Sequence, residues 1–187
     1  MNADVLTVLQ KEVYARCQKP SNRFGMGCYY HIEAVVQNGI YLAEKYGADR
    51  ETVAVACWLH DIASVTEYAL YENHHIHGAE MAGAILTALE YPEEKIPLIQ
   101  NCIRNHRGSV LAEKQTIEEV CVADADAISH FDSVPSLLYL AYAEKHMDIE
   151  TGKNFVKEKL ERSFQKLSDS SKKLYAEKYY QVMQVLS

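Results

Sequence analysis

Two titratable side chains sit side by side at the end of an apolar run, Val53–Ala54–Val55–Ala56–Cys57–Trp58–Leu59–His60–Asp61. Polar groups beside buried apolar segments are costly unless something pairs with them. A divalent metal ion is one such partner. Further donors stand upstream at His31 and downstream at Asp124 and Asp126, in EVCVADADAISHF. Of these, His31, His60–Asp61 and Asp126 supply two imidazoles and two carboxylates, a mixed N/O set that suits a six-coordinate divalent ion such as Mn, Fe, Co, Ni or Mg. Zinc is less natural, because no thiolate set accompanies them. Water bound to such an ion becomes hydroxide near neutral pH and can attack phosphorus.

Each residue also has a plainer reading. His31 could be a core histidine bonded to backbone, and Asp61 could cap the following helix. HHIHGAE (74–80) and RNHRG (104–108) add His74, His75, His77 and His106. His74 could cap a helix start and His106 could place charge at a helix end. Arg107 could clamp a phosphate or be a surface arginine. Ile117, Val120, Cys121, Ile128 and Phe131 form an apolar stripe on which Asp124 falls, while Asp126 shares the neighbouring face with Val122 and His130. That stripe favours Asp124 as the inward carboxylate.

These residues must be carried by helices. Apolar positions recur at helical spacing over 2–18, 29–46, 50–60, 74–90, 93–105 and 116–131, and further helices are expected at 135–147, 151–167 and 170–186. KPSNRFGMG, the stretch 62–73 and HRGS (106–109) read as connections. Gly47 is a helix stop. The last two helices are charge-rich and amphipathic, suited to a cap or an interaction surface. No repeat and no sustained strand pattern is found.

At 187 residues, 48% hydrophobic and 24% charged, the chain reads as one soluble globular domain. Its formal charge of -7 argues against a nucleic acid polymer as partner. The N-terminus reads as lacking a secretory leader, no segment approaches a membrane span, and the five cysteines form no CxxC pair. A cytoplasmic location is expected.

The order H…HD…D resembles the HD superfamily of metal-dependent phosphohydrolases, an all-helical bundle. It matches His31 in CYYHIEAV, His60–Asp61 in WLHDIAS, and Ala125–Asp126 with Ile128 two places on. The resemblance implies an all-α HD-domain bundle with additional C-terminal helices. It spans one domain over 1–187, with a core at about 28–131, an N-terminal helix and loop at 1–27, and an extension at 132–187. It implies His31, His60, Asp61 and Asp126 as metal ligands, with Asp126 preferred over Asp124. His74, four places before Gly78–Ala79, and His106, ending Ile103–Arg104–Asn105–His106, match the branches that bind a second metal or a phosphate. Asp61, His74 and His106 would be catalytic, and Arg107 and Arg23 would bind substrate.

Many branches carry Lys or Glu three places after the HD aspartate. Ser64 stands there, which leaves the proton donor unassigned. The GYP motif of the cyclic-di-GMP branch is absent. The implied activity is hydrolysis of a small phosphoester, a nucleotide first among candidates, by metal-bound hydroxide on one metal or two. A di-iron oxygenase of the same fold and a nucleotide-binding sensor are the alternatives. A homodimer through the C-terminal helices is left open.

Overall fold

The computed structural model describes residues 3–107 and 114–187, with side chains from Val5 onward. Within them the chain is all helix: α1 (Ala3–Cys17), α2 (Gly27–Tyr46), α3 (Arg50–Leu59), α4 (Ile62–Thr66), α5 (His74–Ala88), α6 (Ile96–Asn105), α7 (Ile117–Asp132), α8 (Val134–Tyr139), α9 (Ile149–Lys166) and α10 (Asp169–Val185). No strand occurs among the described residues. None of their helices is long and apolar enough to cross a membrane. Of the expected HRGS connection, residues 108 and 109 lie outside the described residues.

α3 is the centre of the bundle. Every residue from Thr52 to Leu59 is buried. α2 packs along both α3 and α7, α6 closes the other side of α3 and joins α7, and α5 lies on α6. Close approach of α2 and α3 depends on Gly39, where an added Cβ would come within 2.5 Å of Cys57 Sγ and 3.1 Å of Val53 Cγ1. Gly47, at φ 76°, ends α2 in the left-handed region that glycine adopts without cost. Asp49 then starts α3, its carboxylate accepting from the amides of Glu51 (2.9 Å) and Thr52 (3.1 Å). A short helix thus leaves a sharp corner at a fixed angle and delivers His60–Asp61 to the bundle interior.

Two expectations need correction. The stretch 62–73 is not an open connection but α4 followed by a 3₁₀ turn over Tyr68–Asn73, and Ile62, Ala63, Ser64 and Val65 are buried. A five-residue helix has almost no intrinsic stability. Packing against α1 and α5 holds it, with Arg16 Nη1 donating to Thr66 Oγ1 at 2.5 Å. The helix expected over 135–147 is also broken. α8 passes into a wide π turn over Leu140–Glu144, where the Lys145 amide donates to Leu140 O at 3.0 Å, five residues back. α9 and α10 fold back on α7, burying Val156, Leu160, Leu167 and Leu186.

Candidate metal centre

α2, α3, α5, α6 and α7 each present polar groups to one point between them. Three of the histidines are aimed by the same device. His60 Nδ1 bonds Cys57 O at 2.8 Å, His74 Nδ1 bonds Tyr71 O at 2.7 Å, and His106 Nδ1 bonds Ile103 O at 2.6 Å. Each acceptor is a carbonyl three residues back, and a carbonyl only accepts. The proton therefore lies on Nδ1 and Nε2 carries the lone pair. His31 reaches the same state by another route. Ser129 Oγ donates to Asp126 O at 2.7 Å and so accepts from His31 Nδ1 at 2.9 Å.

The four Nε2 atoms converge on two carboxylates. Asp61 Oδ2 lies 3.5 Å from His60 Nε2 and 4.0 Å from His31 Nε2, while its Oδ1 lies 3.4 Å from His74 Nε2. Asp126 Oδ1 is 3.4 Å from His31 Nε2. His74 Nε2 and His106 Nε2 face each other at 3.2 Å. Asp61 stands at the cap position of α4 yet makes no side-chain cap bond. Its carboxylate turns to the histidines instead, steadied by Ser64 Oγ at 3.2 Å.

Among the described residues, donor atoms fall into three groups, each within 4.8 Å: His31–His60–Asp61, His31–Asp126–His130 and Asp61–His74–His106. Asp61 belongs to two of them, one oxygen toward each. His60 Nε2 is buried and without a hydrogen-bond partner. Imidazole lone pairs facing carboxylates repel them unless a cation sits between. The residues present therefore fit a divalent ion: His31 and His60 meet one oxygen of Asp61, His74 and His106 lie beside the other, and Asp126 stands next to His31.

The electrostatics agree. Burial pushes the Asp61 carboxyl upward, but the imidazoles of His60, His74, His106 and His31 around it outweigh burial and hold it below the usual carboxylate range. Asp126 behaves alike, burial being overcome first by the Lys166 ammonium and then by His31. Burial, with His60 next, pushes His106 down to about 3, leaving a neutral imidazole, the form that binds metals.

Other candidates fall elsewhere. Asp124 is also buried, but it faces α10, accepting from Ser168 N at 2.9 Å and Ser168 Oγ at 2.5 Å. His77 is half-exposed beside Glu80, 3.9 Å away. His75 is buried at the edge of His74, ring centroids 5.8 Å apart. Arg107 lines the site's cavity and donates from Nη1 to Glu72 O. Arg23 is exposed on the α1–α2 loop and does not line it.

That cavity, about 620 Å³, opens over the cluster. Its far wall comes from a part of the chain where sequence reasoning placed no site residue. Lys159, Arg162 and Lys166, at helical spacing on α9, all line it. Lys166 Nζ pairs with Asp126. His130 lies behind His31, ring centroids 4.8 Å apart, its Nδ1 3.1 Å from Ser163 Oγ. At the rim, Phe24 packs on Tyr71 with centroids 5.0 Å apart. The one available signal for α9 was its run of lysines, which does not say what they face.

A profile of the HD domain matches residues 28–130. No curated protein matches the chain. Among solved structures, an HD-superfamily hydrolase of Bacillus thuringiensis aligns with a TM-score of 0.70 at 19% identity, covering 100% of this chain and 95% of that one. Bacillus subtilis YpgQ in complex with ADP aligns at 0.67 and 16% identity, covering 97% and 93%. A predicted HD-superfamily hydrolase of an uncultured Thermotogales bacterium aligns at 0.54 and 20% identity, covering 84% of each chain. At such identities the likeness concerns the fold.

Proposed function

Because the chain belongs to the HD domain family, we propose that it is a metal-dependent phosphohydrolase acting on a small phosphoester, with a nucleotide as first candidate. Residues 28–131 would form the hydrolytic bundle and 132–187 an extension that completes the substrate site. The observation that carries this reading is the convergence of four imidazole lone pairs on Asp61 and Asp126 at the foot of a cationic cavity.

His31, His60, Asp61 and Asp126 would hold the metal. When bound, a divalent ion supplies Lewis acidity toward the phosphoryl group and lowers the pKa of water. The protein's own groups do the rest. Asp61, kept ionised, would accept a hydrogen bond from the attacking water and orient it. Arg107, Lys159, Arg162 and Lys166 offset the charge of the phosphoryl oxygens and the leaving group. The nucleotide preference is supported by the aromatic rim of Phe24 and Tyr71, on which a base could stack, and by the ADP bound to YpgQ, a protein of the same fold.

The test is phosphate release by metal-stripped protein resupplied separately with Mn, Fe, Co, Ni and Mg, against nucleoside mono-, di- and triphosphates. Metal-dependent release is expected from the native chain. Asp61→Ala is expected to lose both retained metal and turnover. An Asp61→Ala protein that hydrolyses substrate without metal overturns the assignment.

A further inference from the structure

Cys17 ends α1 and Cys28 lies in the first turn of α2, and the loop between them folds so that their Sγ atoms lie 3.3 Å apart. The remaining cysteines, Cys57, Cys102 and Cys121, have no exposed surface. Burial pushes all three thiols upward, Cys121 to about 12, and inert core thiols are the result.

Cys28 differs from these three in its exposure and in its neighbours. It is partly exposed and lines the cavity, so a small oxidant can reach it. Its Sγ accepts from Asn22 Nδ2 at 3.3 Å. The neighbouring Cys17 thiol, against the upward push of burial, and then the Asn22 amide hold it below the usual thiol range. Cys17 is only 3% exposed, shielded from direct attack yet in contact with Cys28.

We propose that Cys17 and Cys28 form a redox-active dithiol at the wall of the cavity, Cys28 attacking and Cys17 resolving, which a hydroperoxide closes to a disulfide. In the first step the Cys28 thiolate sulfur bonds one peroxide oxygen and the O–O bond breaks. The departing oxygen leaves as hydroxide, or as alkoxide from an organic hydroperoxide, and takes a proton to become water or an alcohol, while Cys28 becomes a sulfenic acid. Cys17 sulfur then attacks Cys28 sulfur, the S–O bond breaks and water leaves. The two thiols give up two electrons and the peroxide accepts them.

A disulfide bond of about 2.05 Å needs the sulfurs to approach by roughly 1.2 Å. Closure also changes the loop. In the dithiol, Cys28 Sγ–H donates to Gly25 O at 2.9 Å, and Gly25 holds φ at 63° beside Phe24 at the cavity rim. The disulfide has no proton to donate, so that bond is lost next to the rim. The dithiol stands whether or not the chain hydrolyses phosphoesters.

The full-length protein, exposed to hydrogen peroxide and then alkylated after denaturation, tests this by thiol counting and peptide mapping. Two of the five thiols are expected to be lost, recovered in one Cys17–Cys28 cross-linked peptide, and restored by a dithiol reductant. In Cys17→Ala the reaction is expected to stop at a Cys28 sulfenic acid, trapped by a dimedone-type nucleophile. The proposal is overturned if all five thiols survive peroxide that oxidises a free cysteine standard. It is equally overturned if native Cys28 passes to sulfinic acid without forming the cross-link.

Discussion

A histidine binds a metal well only when its second nitrogen is already committed. Here that commitment is made four times, three times by a carbonyl three residues back and once by Ser129. The carbonyls cannot be mutated, but Ser129 can. Ser129→Ala removes the acceptor that fixes the His31 ring, and metal affinity is expected to fall about 10- to 100-fold by chelator competition. An unchanged affinity would mean that His31 is oriented by packing alone. The histidines and the HD pair were legible in the sequence because their order and spacing match the H…HD…D pattern. The choice between Asp124 and Asp126 was not legible from periodicity. Every residue from Cys121 to Phe131 is buried, so α7 has no solvent face against which a stripe can be judged. Two different partners, His31 and Lys166 on one side and Ser168 on the other, take up the two carboxylates.

The helices that carry these residues are held at their ends as much as along their faces. Asp49 is both the N-cap of α3 and a partner of Lys95 Nζ at 2.9 Å. Burial raises its carboxyl, but the Lys95 bond and the two cap amides outweigh it and lower it from 3.8. A lowered folded-state pKa stabilises the protein above the unfolded value and ceases to do so as pH falls through the folded one. Asp49→Ala is therefore expected to cost about 1 kcal/mol near neutral pH. The difference from the native chain should shrink as pH drops below 3.8. Urea denaturation at neutral and acid pH measures both, and a difference that grows on acidification would contradict the linkage. Long helices with Gly47-type stops were readable in the sequence. α4 and the π turn after α8 were not, since both depend on tertiary packing rather than on local preference.

Across the whole molecule, a chain of formal charge -7 gathers four cations around one cavity. Three of them come from α9, whose spacing in sequence from the HD pair gives no hint of contact. Lys159 is the most telling. It lines the cavity, and burial, joined by the neighbouring Lys166 ammonium, lowers it from 10.5 against the pull of Asp126 and Asp61. Lys159→Ala is expected to raise KM for a phosphoester by about 10- to 100-fold, the worth of a charge-assisted hydrogen bond. Metal content should stay unchanged, which separates substrate binding from assembly of the metal centre. If KM holds and metal is lost instead, α9 supports the metal cluster rather than the substrate.

The placement of Lys159, Arg162 and Lys166 divides labour along the chain. Residues that would break the bond come from α2 to α7, and those that would choose which molecule enters come largely from a tail outside the matched segment. Such a tail can drift, lengthen or reverse its charge while the ligand set stays intact. The same bundle can thus change its diet by rewriting one helix, and a redesign of specificity would begin at α9 rather than among the histidines.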